Sequence, residues 1–355
     1  MRTIFLSFTI NNSSLTDFFL MLSNKLTKSY RVVVITDRIE DHPFAVSPDI
    51  IFYQWPSSRP TKFRDFVFLF KKVRQYKPRV MVSMFGSVNL FLLVGTLLGV
   101  KHRLAWYHTI STASDSTKSL KFRKKFVYKM ATRIIANSNA TKTDLQENFL
   151  IPPEKISVVY NAVRPEKAGT NIKRNQLVYA GRLHPSKGID TLVAAMPAVL
   201  EKFPDTQLIL FGGHLEGNAI KKYIAQVKNL GISKSVIFKG TRPKQEVVEA
   251  FAESYVSILP SFFEAFGFVV IESFSVKTPV IGSDTSGIAE IIRDGKDGFL
   301  FKPGNEKDLS EKIIHLLQSP GLREDFSTNC FERFMDQFEV GSVTGKLFTT
   351  ISSLD

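Results

Sequence analysis

Residues 259–274 have the sequence LPSFFEAFGFVVIESF, and residues 278–290 have the sequence TPVIGSDTSGIAE. An apolar run ends at Leu259 and another begins at Phe268, with a glycine-containing loop between them, which is typical of a strand followed by a helix. Glu264 and Glu272 lie eight residues apart, about two helical turns, so both acids can face one side near the start of the helix. Helix starts favour phosphates, and carboxylates accept hydrogen bonds from sugar hydroxyls. The stretch therefore predicts a nucleotide-sugar site.

Short apolar strands alternate with helices on both sides of this stretch. The first half of the chain has six predicted strands, at Thr3–Phe8, Val32–Thr36, Val80–Met84, Leu104–Tyr107, Arg133–Ala136 and Ile156–Tyr160. The second half has five, at Leu177–Ala180, Gln207–Phe211, Val236–Lys239, Val256–Leu259 and Pro279–Gly282. Such alternation predicts an α/β fold with parallel sheets covered on both faces. The polar segment Gly169–Asn175 is a predicted linker, and Glu332–Ser352 is a final helical segment.

The opening stretch resembles the signature of the retaining glycosyltransferases of family 4, the bacterial-type group 1 glycosyltransferases with the GT-B fold. The family pattern is Glu, seven residues, Glu, a Pro-Val-Ile strand and a Gly-x-x-Glu turn, matched by Glu264, Glu272, 279–281 and 287–290. The resemblance covers nearly the whole chain and is most specific over residues 177–300. It implies two Rossmann-like, doubly wound domains facing a cleft. Residues 1–168 would bind the acceptor, residues 169–335 would bind the nucleotide-sugar, and a helix at residues 336–355 would cross back to the N-terminal domain.

The resemblance also assigns the donor-binding residues. Arg182 and Lys187 would hold the diphosphate, where fixed cations stabilise the charge that develops on the leaving group. Glu264 would contact hydroxyls of the transferred sugar, and Glu272 would contact those of the ribose. The other predicted donor contacts are Gly181, Gly212, Thr241, Arg242, Ala265, Phe266 and Gly267. The family usually has glycine where this chain has Ala265, so we expect the added methyl group to narrow the sugar pocket.

His108 follows a predicted strand at the place where the family carries a histidine close to the reacting sugar. The resemblance makes His108, Arg182, Lys187 and Glu264 the predicted catalytic residues, and the acceptor proton would pass to the leaving phosphate. The alternative is that His108 is an ordinary surface histidine. The sequence has no Asp-x-Asp motif, which other glycosyltransferases use to hold a metal. We therefore predict that no metal and no cofactor are needed, the nucleotide-sugar being a substrate.

The first loop departs from the family pattern. Family members usually have paired glycines there, whereas residues 9–14 read TINNSS, which makes Asn12, Ser13 and Ser14 the predicted acceptor-side loop. Serine and asparagine still favour turns, but a close backbone approach to the diphosphate is not expected of them. A catalytically inactive GT-B binding module and a nucleotide-sugar epimerase therefore remain alternatives.

Composition and charge limit the number of domains and the kinds of partner that the chain can have. At 355 residues with 44% hydrophobic residues, the chain can form two domains with apolar cores. Residues 1–168 contain 26 Lys and Arg against 11 Asp and Glu, so the whole net charge of +14 comes from this half. The segments 62–74 and 121–129 mix cations with aromatic residues, which favours contact with an anionic membrane surface. The alternative is that their apolar sides pack on the sheet.

Other features suggest a compartment. The single cysteine, Cys330, allows no internal disulfide, the start resembles a strand more than a signal peptide, and the apolar run Val88–Val100 is too short to span a bilayer. We expect a cytoplasmic protein that contacts the inner face of the cell membrane. The predicted function is hexosyl transfer from a UDP- or GDP-sugar to a glycan or lipid-linked acceptor in surface polysaccharide or glycolipid synthesis. A basic nucleic-acid-binding protein is the alternative, but no nucleic-acid-binding module is recognised, so we expect no nucleic-acid partner.

Overall fold

The structure is a computed structural model that describes residues 1–38, 45–58, 62–111, 118–166, 173–213 and 219–354. The chain divides into two compact units, unit 1 with residues 1–163 and 340–355, and unit 2 with residues 164–339. The predicted boundary between residues 168 and 169 lies outside the described residues. The predicted linker is wrong at 173–175, because these residues belong to a strand.

Unit 1 contains a parallel sheet of seven strands. The strands are β1 (Arg2–Ser7), β2 (Tyr30–Thr36), β3 (Ile51–Gln54), β4 (Val80–Met84), β5 (His102–Tyr107), β6 (Arg133–Ala136) and β7 (Ile156–Val158), in the order β3-β2-β1-β4-β5-β6-β7. The helices of its first segment are α1 (Ser14–Leu26), α2 (Phe63–Tyr76), α3 (Val88–Leu97), α4 (Lys118–Lys129) and α5 (Asn139–Phe149). Side chains alternate along β1, with Ile4 and Leu6 in one core and Phe5 in the other, so both faces of the sheet are buried.

Unit 2 contains a second parallel sheet, of six strands. The strands are β8 (Lys173–Ala180), β9 (Gln207–Phe211), β10 (Val236–Gly240), β11 (Ser254–Leu259), β12 (Val280–Ser283) and β13 (Gly298–Phe301), in the order β10-β9-β8-β11-β12-β13. The helices are α6 (Ile189–Lys202), α7 (Ala219–Asn229), α8 (Lys244–Glu253), α9 (Phe268–Ser275), α10 (Ser286–Ile291), α11 (Glu306–Gln318) and α12 (Pro320–Gln337). The predicted α/β fold with two doubly wound sheets is confirmed.

The last helix, α13 (Val340–Ser352), belongs to unit 1. It packs against α1, its side chains Val340 and Ile351 are buried in the unit 1 core, and Lys25 Nζ donates to the Gly341 carbonyl. The prediction of one helical segment from Glu332 to Ser352 is wrong in detail, because α12 ends at Gln337 and α13 begins after a break at residues 338–339.

Strand order reverses beside β1 in unit 1 and beside β8 in unit 2. In doubly wound sheets, ligands bind outside the carboxyl ends of the strands at such a reversal. The loops that follow β1, β8 and β11 carry most of the predicted site residues, so the topology places them at these two positions, and His108 follows β5. Within the described part of the chain, no helix is both long enough and apolar enough to cross a membrane.

Candidate functional site

Unit 2 has a cavity of about 430 Å³ at the carboxyl ends of β8, β9 and β10. Its lining residues are Ala180, Gly181, Arg182, Phe211, Gly212, Gly213, Thr241, Arg242 and Val247. Five predicted donor residues from three loops are therefore together in one cavity. Arg242 also pairs with Glu246 at 3.6 Å, while Arg182 is exposed and has no ion pair among the residues that the structure describes.

Glycines allow these three loops to approach one another. Gly181 N donates to Phe211 O at 3.1 Å, and Gly212 N donates to Gly240 O at 2.9 Å. A Cβ atom on Gly212, whose φ is +135°, would lie 1.8 Å from Gly181 O, and one on Gly213 would lie 2.4 Å from Thr241 Oγ1. Both distances are far below van der Waals contact, so positions 212 and 213 of the cavity wall have no room for a side chain.

Lys187 and Glu264 form an ion pair between the loop after β8 and the loop after β11. Their side chains are 14% and 22% exposed. The two loops are also joined by Phe262 N, which donates to Ser186 O at 2.9 Å. Gly188, with φ +63°, passes under this second loop, and a Cβ atom there would lie 2.1 Å from Pro260 O. The predicted phosphate cation and the predicted sugar-binding acid are thus neighbours.

The Gly-x-x-Glu turn supports the loop that carries Glu264. Gly287 N donates to Glu264 O at 3.0 Å, and a Cβ atom on Gly287 would lie 2.6 Å from Phe266 Cα. Phe266 is itself buried, with its ring centroid 6.0 Å from that of Phe338. The turn therefore needs a glycine because the backbone at 265–266 rests directly on it.

The two acids of the opening stretch do not share a helix. Glu264 precedes α9, Gly267 takes φ +105° just before the helix begins, and Glu272 lies half-buried within the helix. The argument that two helical turns bring the acids to one side is therefore wrong. Glu272 is also absent from the described lining of the 430 Å³ cavity, so its contact with a ribose remains a prediction.

Unit 1 has a larger cavity, of about 740 Å³, at the carboxyl ends of its strands. Its lining residues are Ser7, Phe8, Thr9, Asp37, Arg38, Trp55, Ser58, Met84, Phe85, Gly86, Ser87, Val88, Asn89, Trp106, Tyr107, His108, Thr109, Arg123, Lys124 and Tyr128. His108 is thus a wall residue, and the predicted loop residues Asn12, Ser13 and Ser14 are not in this lining.

The His108 ring is held between aromatic and amide neighbours. Its centroid lies 5.1 Å from that of Phe85 and 6.0 Å from that of Trp106, both in stacked orientation, and Asn137 Nδ2 lies 3.5 Å from Nδ1. Burial lowers the pKa of His108 to about 3, so the imidazole is neutral near pH 7. With Nδ1 accepting from Asn137, the proton resides on Nε2, which is buried and has no partner in the described structure. His108 is half-buried, which differs from an ordinary surface histidine.

The first loop is closed by side chains where the family has glycines. Ser13 is the N-cap of α1 and accepts from Thr16 N at 3.3 Å, while Thr16 Oγ1 donates to Asn11 Oδ1 at 2.9 Å. Asn12 is exposed, and Ser14 is buried as the first residue of α1. Asn11 and Ser13 border a small cavity of about 60 Å³ that shares wall residues with the larger one.

Three wall residues of unit 1 were missed from the sequence. Phe85 has a left-handed φ of +50° and is 53% exposed, although such a conformation is unfavourable for an aromatic residue. Arg123 and Lys124 contribute the cationic side of the cavity from α4. The sequence feature that could have identified Phe85 is its position before Gly86 at the end of a buried strand. No neighbouring residue distinguishes Arg123 and Lys124 from the other cations of the basic segment.

The two basic aromatic segments differ in packing. In α2, Phe66, Phe68 and Phe70 pack half-buried against the core, whereas Phe63 is 79% exposed. In α4, Phe122 and Phe126 are 75% and 67% exposed. Packing on the sheet therefore accounts for most of α2, while α4 presents two aromatic rings outside the core.

Two family models match the chain. The model of the glycosyl transferases group 1 matches residues 162–333, and the model of glycosyltransferase family 4 matches residues 18–167. Among curated relatives, an uncharacterized glycosyltransferase of Methanocaldococcus jannaschii is 29% identical over 242 residues, which cover 66% of this chain and 65% of the relative. The poly(ribitol-phosphate) alpha-N-acetylglucosaminyltransferase of Staphylococcus aureus is 25% identical over 245 residues, which cover 67% and 48%.

The chain spans about half to two thirds of the length of these curated relatives. Solved structures match over the full length: HepE of Anabaena in complex with UDP has a TM-score of 0.80 and 20% identity, covering 99% of this chain and 100% of HepE. Sucrose-phosphate synthase of Thermosynechococcus elongatus has a TM-score of 0.82 and 20% identity, covering 100% of both chains. At these identities the likeness concerns the fold. With two parallel doubly wound sheets and both family models matched, the chain belongs to the group 1, family 4-like glycosyltransferases of the GT-B fold.

Proposed function

We propose that this chain transfers a hexose, with retention of configuration, from a UDP- or GDP-sugar to a glycan or lipid-linked acceptor. The observation that carries the proposal is the unit 2 site, where a backbone-walled cavity adjoins the loops that present Arg182, Lys187 and Glu264. Two kinds of comparison support it. HepE was solved with UDP and with UDP-glucose, and the Staphylococcus aureus relative is named for transfer of N-acetylglucosamine to poly(ribitol-phosphate).

The proposed chemistry at the donor is stabilisation of a departing nucleoside diphosphate. Arg182 and Lys187 place two positive charges at the end of β8, where negative charge grows as the glycosidic bond breaks. We expect Lys187 to transfer its contact from Glu264 to the diphosphate when donor binds. Glu264 would then accept hydrogen bonds from sugar hydroxyls. Before the donor binds, the ion pair would hold both side chains close to the positions where they contact it.

His108 would act as a neutral hydrogen-bond donor. Its lowered pKa makes it a weak base near pH 7, so removal of the acceptor proton is assigned to the leaving phosphate and not to the imidazole. The Nε2–H, in contrast, can donate to a sugar hydroxyl without adding a charge. In this mechanism the acceptor O–H bond breaks as the new glycosidic bond forms, and the proton leaves on the nucleoside diphosphate.

We further propose that the two cations replace a metal ion. Their charge and positions suit the diphosphate, which is the role that a divalent cation has in metal-dependent transferases. Sugar transfer should therefore proceed at an unchanged rate in EDTA. Loss of turnover in EDTA that Mg²⁺ or Mn²⁺ restores would contradict this part of the proposal.

The first experiment is thermal unfolding with UDP, GDP and ADP. A ligand that binds only the folded protein stabilises it by about 2.7 kcal/mol at 100 times its Kd. We expect one nucleotide to raise Tm, and Glu272→Ala to weaken that nucleotide about tenfold if Glu272 binds the ribose. Glu311→Ala, an exposed acid on α11, is the matched control and should leave the shift unchanged.

Turnover separates the remaining alternatives. With the identified nucleotide's sugars and a glycan or lipid-linked acceptor, release of nucleoside diphosphate with an axial-to-axial or equatorial-to-equatorial product anomer supports retaining transfer. Conversion of one nucleotide-sugar into another without an acceptor would indicate an epimerase. Nucleotide binding with no turnover of any kind would indicate a binding module. No nucleotide binding at millimolar concentration would contradict the donor site itself.

We also propose that α4 contacts an anionic membrane surface from the cytoplasmic side. Phe122 and Phe126 lie one turn apart, both exposed, on a helix that also carries Lys125 and Lys129. Replacing both phenylalanines by serine should weaken binding to phosphatidylglycerol vesicles at low salt by at least about tenfold. Ile224→Ser, at an exposed position in unit 2, is the control, and equal losses in the two variants would contradict the proposal.

A further inference from the structure

The unit 1 cavity has an unbalanced positive charge. Four charged residues are among its described lining residues, Asp37, Arg38, Arg123 and Lys124, which gives a net charge of +2 because His108 is neutral. Thr36 Oγ1 donates to the Asp37 carboxylate at 3.3 Å. Arg123 and Lys124 both reach this cavity from α4, and the positive charge of Arg123 is close enough to lower the pKa of Lys124.

A nearby acid, Asp144, offsets part of this positive charge but forms no ion pair with it in the described structure. Asp144 lies close enough to influence Lys124, but its Oδ2 accepts from Tyr107 at 2.6 Å and its Oδ1 accepts from Asn148 at 2.9 Å. Ser111 Oγ and N donate to the same carboxylate. Lys124 has no ion pair with any residue in the described ranges. Asp144 thus serves to fix the wall, and a half-buried ammonium group is left facing a like charge.

The electrostatics of Lys124 agree with this geometry. Burial lowers the pKa of Lys124, the Asp144 carboxylate opposes that change, and the positive charge of Arg123 adds to it. A half-buried ammonium beside a guanidinium gains from any anion that enters the cavity, because the anion restores the charge balance that burial and like-charge repulsion disturb. Asp144 supplies part of that charge, but its oxygens accept hydrogen bonds from Tyr107, Ser111 and Asn148, so the two cations are left without an ion-pair partner in the described structure.

The helix separates this charge from the exposed aromatic rings. Arg123, Lys124 and Tyr128 line the cavity, while Phe122 and Phe126 are exposed and absent from its lining. Positions 124 and 128 are one turn apart, as are 122 and 126, so two faces of α4 have two different chemistries. The cavity cations can therefore be changed without touching the rings proposed to contact a membrane.

We propose that the acceptor of this enzyme carries a phosphate group, and that Arg123 and Lys124 bind it inside the unit 1 cavity. The inference rests on the proposed function, and it adds the chemical class of the acceptor. A phosphate offers several oxygens and up to two negative charges, which match a guanidinium fork beside an ammonium better than a single carboxylate does. The same cavity presents His108 and the Phe85 ring to the sugar or polyol part of such an acceptor.

The test is calorimetric titration of the full chain with glucose 6-phosphate, glucuronate and glucose. Glucose 6-phosphate should bind at least about tenfold more tightly than glucose, which offers only neutral hydroxyls, and than glucuronate, whose carboxylate has one charge and two oxygens where the phosphate has up to two charges and three oxygens. Lys124→Gln and Arg123→Gln should each remove most of that preference. Lys125→Gln, which changes an α4 lysine outside the cavity lining, is the control and should leave all three affinities unchanged.

Three results would overturn the inference. They are equal binding of glucose 6-phosphate and glucose, equal binding of glucuronate and glucose 6-phosphate, and an unchanged preference in both Lys124→Gln and Arg123→Gln. The rise in Tm with UDP or GDP is recorded on the same samples. A nucleotide shift without phosphate preference overturns only the acceptor class, whereas a phosphate preference without any nucleotide shift contradicts the proposed function.

The phosphate can belong to a free sugar or polyol, or to a lipid head group. Vesicles of phosphatidylcholine with and without phosphatidic acid separate these sources. If Lys124→Gln weakens binding to the phosphatidic acid vesicles and glucose 6-phosphate competes poorly, the phosphate is that of a lipid. If the variant leaves vesicle binding unchanged but loses glucose 6-phosphate, the phosphate is that of a free acceptor. If the variant keeps both vesicle binding and glucose 6-phosphate binding, the inference is overturned.

Discussion

The two cavities are built from different material. In unit 2, the wall between β8, β9 and β10 is backbone, and a Cβ atom on Gly212 would lie 1.8 Å from Gly181 O. In unit 1, the wall includes many side chains, among them two aromatic rings stacked on His108 and the cations Arg123 and Lys124. The same type of sheet therefore carries two different sites. The unit 2 site accepts only glycine at several positions, whereas the unit 1 site is formed by side chains that could be replaced by others.

This difference explains why one site carries a recognisable motif. Where a Cβ atom would meet a neighbouring loop, as at Gly188, Gly212 and Gly287, only glycine fits, so the sequence at these positions is fixed by the packing. Where side chains make the wall, many combinations fill the same space.

Loss of the Lys187 charge should have the largest effect. In Lys187→Met, we expect kcat/KM for sugar transfer to fall about 10²- to 10³-fold, because one fixed charge on the leaving diphosphate is lost. Steady-state assays with the identified donor measure this. Lys222→Met removes a cation from an exposed pair with Asp190 and should change kcat/KM little. Similar losses in both variants would mean that the effect of Lys187 is not specific to its site.

Gly212→Ala tests the backbone wall. The added methyl group overlaps Gly181 O at a positive φ, so we expect the free energy of unfolding to fall by about 3 kcal/mol and the nucleotide-induced rise in Tm to disappear. Urea unfolding and thermal shifts measure both. In Gly231→Ala, φ is +70° but no atom lies within 4 Å of the new Cβ, and a loss of only about 1 kcal/mol is expected. Equal losses of stability in Gly212→Ala and Gly231→Ala would show that close packing is not the cause of the effect at Gly212.

The pH dependence of stability tests the environment of His108. The folded-state pKa is lowered by burial to about 3 from an ordinary value of 6.5. Between these values the unfolded chain binds a proton that the folded chain does not, so His108 makes the free energy of unfolding fall as pH falls from 6.5 towards 3. The slope is at most about 1.4 kcal/mol per pH unit.

Urea unfolding of the wild type and His108→Gln at pH 7 and pH 5 measures this contribution. The variant should lose less stability than the wild type between the two pH values, since glutamine does not titrate. His315→Gln, at an exposed position on α11, serves as the control and should behave as the wild type does. An identical pH response in wild type and His108→Gln would show that the pKa of His108 is the same in the folded and the unfolded protein, which contradicts its burial.

The smallest effect should come from the first loop of unit 1. Ser13→Ala removes the side-chain cap of α1, for which we expect a loss of about 1 kcal/mol in stability with an unchanged nucleotide shift. Asn12→Ala changes an exposed neighbour and should alter stability by less than about 0.5 kcal/mol. A loss of stability in Ser13→Ala as large as that in Gly212→Ala would mean that the first loop of unit 1 tolerates substitution as poorly as the glycine positions of unit 2.

Much of the fold could be predicted because the central strands are continuous buried runs. The strands missed from the sequence, β3 and β13, are both four-residue strands at the edges of their sheets. β3 is mostly half-buried, so its apolar run is short and gives a weak signal. β13 is mostly buried, and its short length of four residues is the only feature that accounts for the missed prediction.

The glycine-containing loops of unit 2 were easier to recognise from the sequence than the side-chain wall of unit 1. Gly181, Gly212, Thr241 and Arg242, which the family resemblance assigns to the donor, line one cavity, and their contact with a donor remains a prediction. The cationic wall in unit 1 was not predictable in detail. Arg123 and Lys124 reach the cavity, while Phe122 and Phe126 of the same basic segment do not, and that division depends on how α4 sits on the sheet.

The return of the chain to unit 1 has a consequence for biosynthesis. Val340 N donates to Val163 O at 3.0 Å, and Val343, Leu347 and Ile351 complete a core begun by Ile4 and Leu6. During translation, the first unit to emerge from the ribosome therefore lacks part of its apolar core until the last helix has been made. Unit 2, which has its own core, can finish folding first, so completion of the two units should run opposite to their order of synthesis.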